Sequence, residues 1–401
     1  MASRESYLRI VNLTKHAMTV NVSSVENNDW DGISRPDRNF NNVTIEPFSS
    51  LRHREELNYW ARSAWYNMYF CFENGDKIGI RNDQLDSMKW LQRLYPVEEK
   101  DAEKYVIFQN NINSRENTFY ITSKYWCKDL SNDLYLYNLT IPGTHDTCAT
   151  HALPFAKCQN LGLKEQLDLG IRFIDIRCRH MNDRFAIHHG SVYQKLNFRD
   201  ILDECMDFLK RSKEKNNGEN SEFIIFSVKE EYDGTDNTRS FEETLINKYL
   251  VERPTEFFYI KRTIPQVKDI RGKIVLLSRY KNNTIGINAT PWADNTSFEI
   301  NNTANLYVQD RYQLTPFENK WTDIRWCLDK ATLSNHEATL FLNYCSGIQP
   351  PSEPKVLAHN INNTLFSYVS KEEKKRLGVL VMDFPETCEA LTRSIVCLNF
   401  K

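Results

Sequence analysis

The chain has 401 residues, 41% of them hydrophobic and 26% charged, with a formal net charge of -2. That length predicts two domains, the composition excludes a disordered or fibrous chain, and the near-neutral charge gives no reason to expect nucleic acid as a partner. No apolar run approaches the roughly 18 residues of a spanning helix, and the opening MASRESYLRI lacks a secretory apolar stretch, which predicts a cytoplasmic protein.

From the start, residues 7 to 80 alternate in the manner of half-buried strands: Tyr7 to Val11, His16 to Val22, Asn42 to Glu46, Tyr66 to Glu73 and Lys77 to Ile80. Asn74-Gly75 between the last two is a hairpin signal. Residues 104 to 109 and 118 to 122 add two more strands. Residues 1 to 120 therefore read as a small all-β, sandwich-like accessory domain whose role stays open. Trp60, Trp65, Tyr66, Tyr69, Phe70 and Phe72 crowd one stretch of it. A sandwich core and a membrane-facing surface both fit, and the core reading is preferred because aromatics carry most of the burial in small sandwiches.

After Tyr125 short apolar runs alternate with helical patterns. Candidate strands lie at 135 to 141, 173 to 177, 185 to 189, 223 to 229, 273 to 279, 306 to 310, 339 to 344 and 379 to 383, with helices at 197 to 212, 238 to 250, 319 to 334 and 387 to 396. This alternation predicts an α/β domain over residues 121 to 401, built as a (β/α)8 barrel of the TIM type. The gap from 177 to 185 is too short for a helix, so the barrel is expected to be irregular. The ten cysteines show no zinc-type spacing and read as reduced, buried thiols.

His145, Arg177, His189, Lys229, Arg279, Asp310 and Asp383 each fall at or just beyond the C-terminal end of a proposed strand. In a barrel those ends share one mouth, where active sites of this architecture are built. Two imidazoles, several cations and a set of carboxylates suit a phosphodiester. One imidazole takes a proton from the nucleophile, the other protonates the leaving oxygen, and the cations stabilise the charged transition state without a metal or other cofactor. His188 faces away from its neighbour by the two-residue strand period and reads as structural.

The segments Leu139-Thr-Ile-Pro-Gly-Thr-His-Asp-Thr, Phe173-Ile-Asp-Ile-Arg, Ile187-His-His-Gly, Phe226-Ser-Val-Lys-Glu-Glu-Tyr and Gly272-Lys-Ile-Val-Leu-Leu-Ser-Arg-Tyr occur in this order. Together they resemble the X region of phosphatidylinositol-specific phospholipases C, in the bacterial-type branch. The resemblance extends through Pro291-Trp-Ala-Asp, Val308-Gln-Asp-Arg-Tyr and Val379-Leu-Val-Met-Asp-Phe. It implies His145 as general base on the inositol 2-hydroxyl with Asp383 as its partner, and His189 as general acid with Asp146 behind it. Arg177 then stands where calcium-dependent relatives gather carboxylates around their ion. Lys229, Arg279, Asp310 and Tyr312 would line the inositol pocket, Asp175 would hold Arg177 or a neighbouring lysine, and Trp292 would contact the membrane at the rim.

The activity implied is cleavage of phosphatidylinositol to diacylglycerol and inositol 1,2-cyclic phosphate at a membrane that the protein touches peripherally. GPI anchors are a further candidate substrate. Two other readings stay open: a lipid-binding scaffold on the same barrel, whose expected mark is damage to a histidine or to Arg177, and a metal-dependent phosphodiesterase, which needs clustered carboxylates.

Overall fold

The computed structural model describes residues 6–26, 36–55, 64–86, 91–97, 99–113, 116–151, 157–313, 317–334, 338–348, 353–371 and 375–400. Two compact units divide the chain, one spanning 1–124 and the other 125–399. No helix among the described residues is long and apolar enough to cross a membrane.

The first unit is built from β1 (Ser6–Leu13), β2 (Met18–Glu26), β3 (Val43–Ile45), β4 (Ser50–Glu55), β5 (Ala64–Phe72), β6 (Lys77–Asp86), β7 (Leu91–Val97), β8 (Tyr105–Asn113) and β9 (Glu116–Ser123). They form a four-stranded sheet in the order β4-β1-β9-β8 and a five-stranded sheet in the order β3-β2-β5-β6-β7. Leu8, Ile10, Phe119 and Ile121 from the first sheet share one core with Met18, Val20, Met68 and Ile80 from the second, as in a sandwich. Strand β5 shows the two-residue period: Tyr66, Met68, Phe70 and Phe72 are buried. On its other face Trp65 and Tyr69 lie under the Arg81 and Lys77 cations. Trp60 lies outside the described residues.

The second unit is the expected irregular α/β barrel, with strands rich in Ile, Val, Leu and Phe. Its staves are β10 (Thr140–Thr144), β11 (Phe173–Met181), β14 (Phe223–Glu230), β16 (Lys273–Arg279), β19 (Asn305–Gln309), β20 (Thr339–Tyr344) and β21 (Gly378–Met382). Parallel ladders run from β16 through β14, β11, β10, β21 and β20 to β19. All five residues of β10 and all five of β21 are buried, which is the signature of a stave covered on both faces. Helices Phe198–Lys215, Phe317–Leu333 and Pro354–Val369 are among those that connect the staves, and Glu389–Cys397 follows the last of them. The first buries Phe198, Ile201, Leu202, Cys205, Phe208 and Leu209, the apolar stripe of an amphipathic helix.

Three sequence expectations change. The strand expected at 135 to 141 is β10, which begins at Thr140; Leu136–Asn138 form a turn in which the Tyr135 N–H donates to Asn138 Oδ1 at 2.9 Å. Pro142-Gly143 does not end that strand, because the Pro142 carbonyl accepts the Arg172 N–H at 2.9 Å. A side chain at Gly143 would place its Cβ 2.9 Å from that of Phe173, so only glycine lets these two staves approach. The segment 185 to 189 is no stave at all. It belongs to β12 (Arg184–His189), which pairs antiparallel with the outer part of β11 and with β13 (Val192–Asn197), so a ribbon extends from the mouth. Among the described residues the barrel therefore has seven long parallel staves; the two-residue strands β15 (Phe258–Tyr259) and β17 (Ile287–Asn288) pair parallel with β16, β18 (Ser297–Asn301) pairs antiparallel with β19, and no ladder joins β16 to β19.

The helix Pro354–Val369 was not anticipated, because its asparagine-rich sequence dilutes the apolar period. It nevertheless buries Leu357, Ala358, Ile361, Leu365 and Val369 at helical spacing.

At the N-terminal end of the staves, away from the mouth, Arg172 and Glu222 are both fully buried. Arg172 Nε donates to Glu222 Oε2 at 2.8 Å, and Nη1 donates to the Leu167 and Ile171 carbonyls. Removing one partner leaves an uncompensated charge in a dry site. Arg172→Met is expected to lower unfolding free energy by about 3–5 kcal/mol, read by urea titration of the purified chain. A change below about 1 kcal/mol, typical of exposed pairs, would show the pair to be solvated.

Candidate active site

Stave register decides which side chains meet. Arg177 pairs with Lys229, and Lys229 with Arg279, so three cations lie at one level on adjacent strands. Side chains two residues apart on a strand share a face. Asp175 precedes Arg177 by two and Glu231 follows Lys229 by two, which threads carboxylates between the cations. Asp175 accepts from Arg177 Nη2 at 3.2 Å and from Arg279 Nη1 at 2.8 Å. Glu231 pairs with Lys229 and stands 3.8 Å from Arg177 Nη1.

These contacts set the charge states. Burial alone would raise the Asp175 carboxyl, but Arg177 and Arg279 hold it well below the usual carboxylate range. Glu231 is likewise lowered, burial being outweighed by Arg177 and Lys229. Lys229 is pushed down by burial and by the Arg177 charge, against the pull of Glu231.

One step beyond the end of β10, His145 is fixed through its backbone. Its N–H donates to the Met382 carbonyl at 2.9 Å, and Gln159 Nε2 donates to its carbonyl at 2.7 Å. Its Nδ1 lies 2.9 Å from Asp383 Oδ1, and its Nε2 lies 2.7 Å from Arg177 Nη2. A guanidinium only donates, so Nε2 carries the lone pair and Nδ1 the proton that Asp383 accepts. This is the tautomer a general base needs. Burial opposes the imidazolium, yet the Asp383 charge more than offsets it, so the His145 pKa lies above the ordinary histidine value.

His189 arrives from the ribbon. Gly190 takes a φ of 54° at the turn, and its N–H donates to Glu231 Oε1 at 3.1 Å, which anchors the tip to the cation row. His189 Nδ1 is 3.7 Å from Asp146 Oδ2. Burial raises the Asp146 carboxyl, with Arg177 and His189 opposing. Asp146 itself sits at a φ of 38°, a backbone conformation rare outside glycine and found at functional sites.

A pocket of about 450 Å³ opens onto His145, Arg177, His189, Lys229, Arg279 and Asp383, and also onto Asp310, Tyr312 and Trp292. Asp175 and Asp146 lie just beneath it, buried. The Tyr312 hydroxyl donates to Asp294 Oδ1 at 2.8 Å. Trp292, expected to contact lipid at the rim, lines this pocket. Its indole N–H donates to Asp310 Oδ2 at 3.0 Å, and the Arg279 guanidinium stacks 3.5 Å from its ring centroid. The Arg279 Nη1 also donates to the Tyr344 hydroxyl at 2.9 Å.

Sequence reasoning missed several residues that shape this site. Glu231 lay inside a quoted motif, and its two-residue offset from Lys229 was the available signal. Asn362 carried none: its amide donates to the Asp383 and Phe384 carbonyls at 3.0 and 3.2 Å, fixing the loop that presents the Asp383 carboxylate. Lys320, fully buried, donates to the Tyr344 carbonyl at 2.6 Å from behind the pocket wall.

Two groups of ligand-type atoms occur among the described residues, His145 with Cys158 and Asp383, and Asp146 with Cys158 and His189. Each offers a single carboxylate, whereas a hard cation such as calcium takes six to eight oxygens, roughly. Arg177, 3.7 Å from Asp146, already supplies positive charge at this place.

A barrel with paired imidazoles, each beside a carboxylate, across a guanidinium defines an acid–base phosphodiesterase centre. The model of the phosphatidylinositol-specific phospholipase C X domain matches residues 133–280. The chain is 30% identical over 283 residues to the 1-phosphatidylinositol phosphodiesterase of Listeria monocytogenes, covering 66% of this chain and 82% of that protein. Against the Staphylococcus aureus (strain Newman) protein of the same name it is 30% identical over 284 residues, 65% of this chain and 87% of the other. A solved variant of the S. aureus phosphatidylinositol-specific phospholipase C superposes with a TM-score of 0.61 at 28% identity, covering 69% of this chain and 97% of that one. The L. monocytogenes structure gives 0.56 at 28% identity, covering 69% and 98%. The chain belongs to the phosphatidylinositol-specific phospholipase C family.

The His145–Asp383 pair has a pH signature. A base must be neutral, so if His145 is the base, turnover is expected to fall as pH drops through its raised pKa. Asp383→Asn removes the charge that raises it, and the acidic limb of the kcat/KM profile is expected to move to lower pH while the plateau rate falls on the order of 100-fold or more. A limb that does not move would uncouple the two residues.

Proposed function

We propose that this protein cleaves phosphatidylinositol to diacylglycerol and inositol 1,2-cyclic phosphate by His145/His189 acid–base catalysis with no metal ion. The observation that carries the reading is the Arg177 guanidinium set between the two imidazoles, 2.7 Å from His145 Nε2 and sharing Asp146 with His189. A bound phosphodiester takes over the guanidinium donors, because two phosphate oxygens match its planar fork. That frees the His145 Nε2 lone pair to accept the proton of the inositol 2-hydroxyl.

The hydroxyl oxygen attacks the phosphorus that it already neighbours, which gives an intramolecular step its entropic advantage over attack by water. Negative charge builds on the phosphoryl oxygens, where Arg177 and Lys229 stabilise it. His189 protonates the departing diacylglycerol oxygen, and Asp146 stabilises its imidazolium. Water entering along the leaving-group path then opens the cyclic phosphate with the two histidines exchanging roles. Asp310, Tyr312 and Arg279 are the polar groups on the inositol side of the pocket. Contact with the membrane is peripheral; one S. aureus relative was solved in work on modulation of its membrane binding.

The decisive assay presents phosphatidylinositol vesicles in excess chelator and follows products by phosphorus NMR. Wild-type protein is expected to retain activity and to release cyclic phosphate first. His145→Ala and His189→Ala should each lose on the order of 100-fold to 10,000-fold in rate with folding intact. Calcium dependence, acyclic phosphate as the first product, or near-native histidine variants would each overturn the reading.

The position of Trp292 yields a separate expectation. As a pocket wall under Arg279 and Asp310, its loss in Trp292→Ala should weaken cleavage of vesicle-borne lipid and hydrolysis of soluble cyclic phosphate to a similar degree. A loss confined to vesicles would place it in contact with the membrane.

A further inference from the structure

The phosphodiesterase mechanism makes no use of Cys158, yet this thiol sits among all four acid–base groups. Its Sγ lies within 4.8 Å of ligand atoms of His145 and Asp383 on one side, and of Asp146 and His189 on the other. The backbone holds it there: its N–H donates to the Ala149 carbonyl at 3.0 Å, and its carbonyl accepts the Phe384 N–H at 3.1 Å.

A second observation concerns Asp146. It is 1% exposed, and neither of its carboxylate oxygens has a hydrogen-bond partner. Buried carboxylates are ordinarily satisfied. Oδ2 stands 3.7 Å from His189 Nδ1, which is too long for a hydrogen bond. It does match the spacing of two ligands on one tetrahedral ion, about 3.3–3.8 Å for bonds of roughly 2.0–2.3 Å.

We propose that Asp146, Cys158 and His189 form an inhibitory site for a soft divalent cation of the zinc class. Thiol, imidazole and carboxylate are the donor set such an ion selects, with the fourth position open to water from the pocket. On binding, the Cys158 S–H proton passes to solvent as the metal–sulfur bond forms. Thiolate and carboxylate then balance both charges of the ion, which makes its approach to Arg177 tolerable. With the metal on Nδ1, the His189 ring no longer accepts a second proton, so the imidazolium that serves as general acid is lost. Magnesium and calcium, which want oxygen ligands, are not held.

The inhibitory consequence rests on the catalytic reading of His189; binding does not, and the two are measured separately. Equilibrium dialysis of the full chain with zinc, and ultraviolet thiolate-to-metal absorption with cadmium, read the site directly. Vesicle assays at buffered free zinc, each variant scaled to its own metal-free rate, read the inhibition. Wild-type protein should bind one more zinc than Cys158→Ser and show a cadmium band that this variant lacks. The inhibition midpoint in Cys158→Ser should rise by on the order of 10-fold to 100-fold, at least the cost of losing an outer partner of a bound metal. Asp146→Asn should weaken zinc binding in dialysis, and Cys158→Ala repeats the comparison if the serine variant fails to fold. Equal zinc affinity in wild-type and Cys158 variants, or the same cadmium band in both, overturns the site. Zinc binding through Cys158 that leaves turnover unchanged overturns the inhibition alone, and a chain that binds zinc but does not cleave phosphatidylinositol instead refutes the catalytic reading.

Discussion

Three parallel staves in register force Arg177, Lys229 and Arg279 into a row of positive charge at the barrel mouth. Such a row holds together in a low-dielectric site only if carboxylates are threaded through it, since like charges a few ångströms apart repel strongly there. Asp175 and Glu231 do this from the same strand faces two residues away. Every other active-site feature hangs on that lattice. Arg177 fixes the tautomer of His145, Glu231 anchors the turn beside His189, and Asp175 receives both arginines while its backbone carbonyl accepts the Thr147 N–H of the loop that carries His145.

The two imidazoles are mounted differently, and their mounts suit the chemistry assigned to them. His145 sits one residue past a fully buried stave and is pinned from both sides through its backbone. His189 stands at the tip of an antiparallel ribbon, secured by a glycine turn to Glu231. In the proposed mechanism the firmly held imidazole is the base and the one on the ribbon the acid.

The barrel also separates stability from chemistry along its axis. The Arg172–Glu222 pair lies at the N-terminal ends of the staves, whereas the mouth holds the Asp146 carboxylate, the left-handed backbone angle of that residue and a thiol among the catalytic groups.

By itself the sequence determined the class of fold and the principal chemistry. Apolar runs alternating with amphipathic stretches carry the α/β signal, and reactive residues placed just after those runs carry the site, since both are patterns among covalent neighbours. Only tertiary structure decided what depends on register and long-range contact. It turned residues 185 to 189 into a ribbon instead of a stave, set Trp292 against Arg279 and Asp310, and recruited Asn362 from an asparagine-rich helix to hold the Asp383 loop. It also brought Cys158 among Asp146, His189, His145 and Asp383. No local pattern encodes these, because hydrogen-bond partners far apart in the chain are chosen by how the staves slide and pack, and a one-residue change of register would redirect every side chain involved.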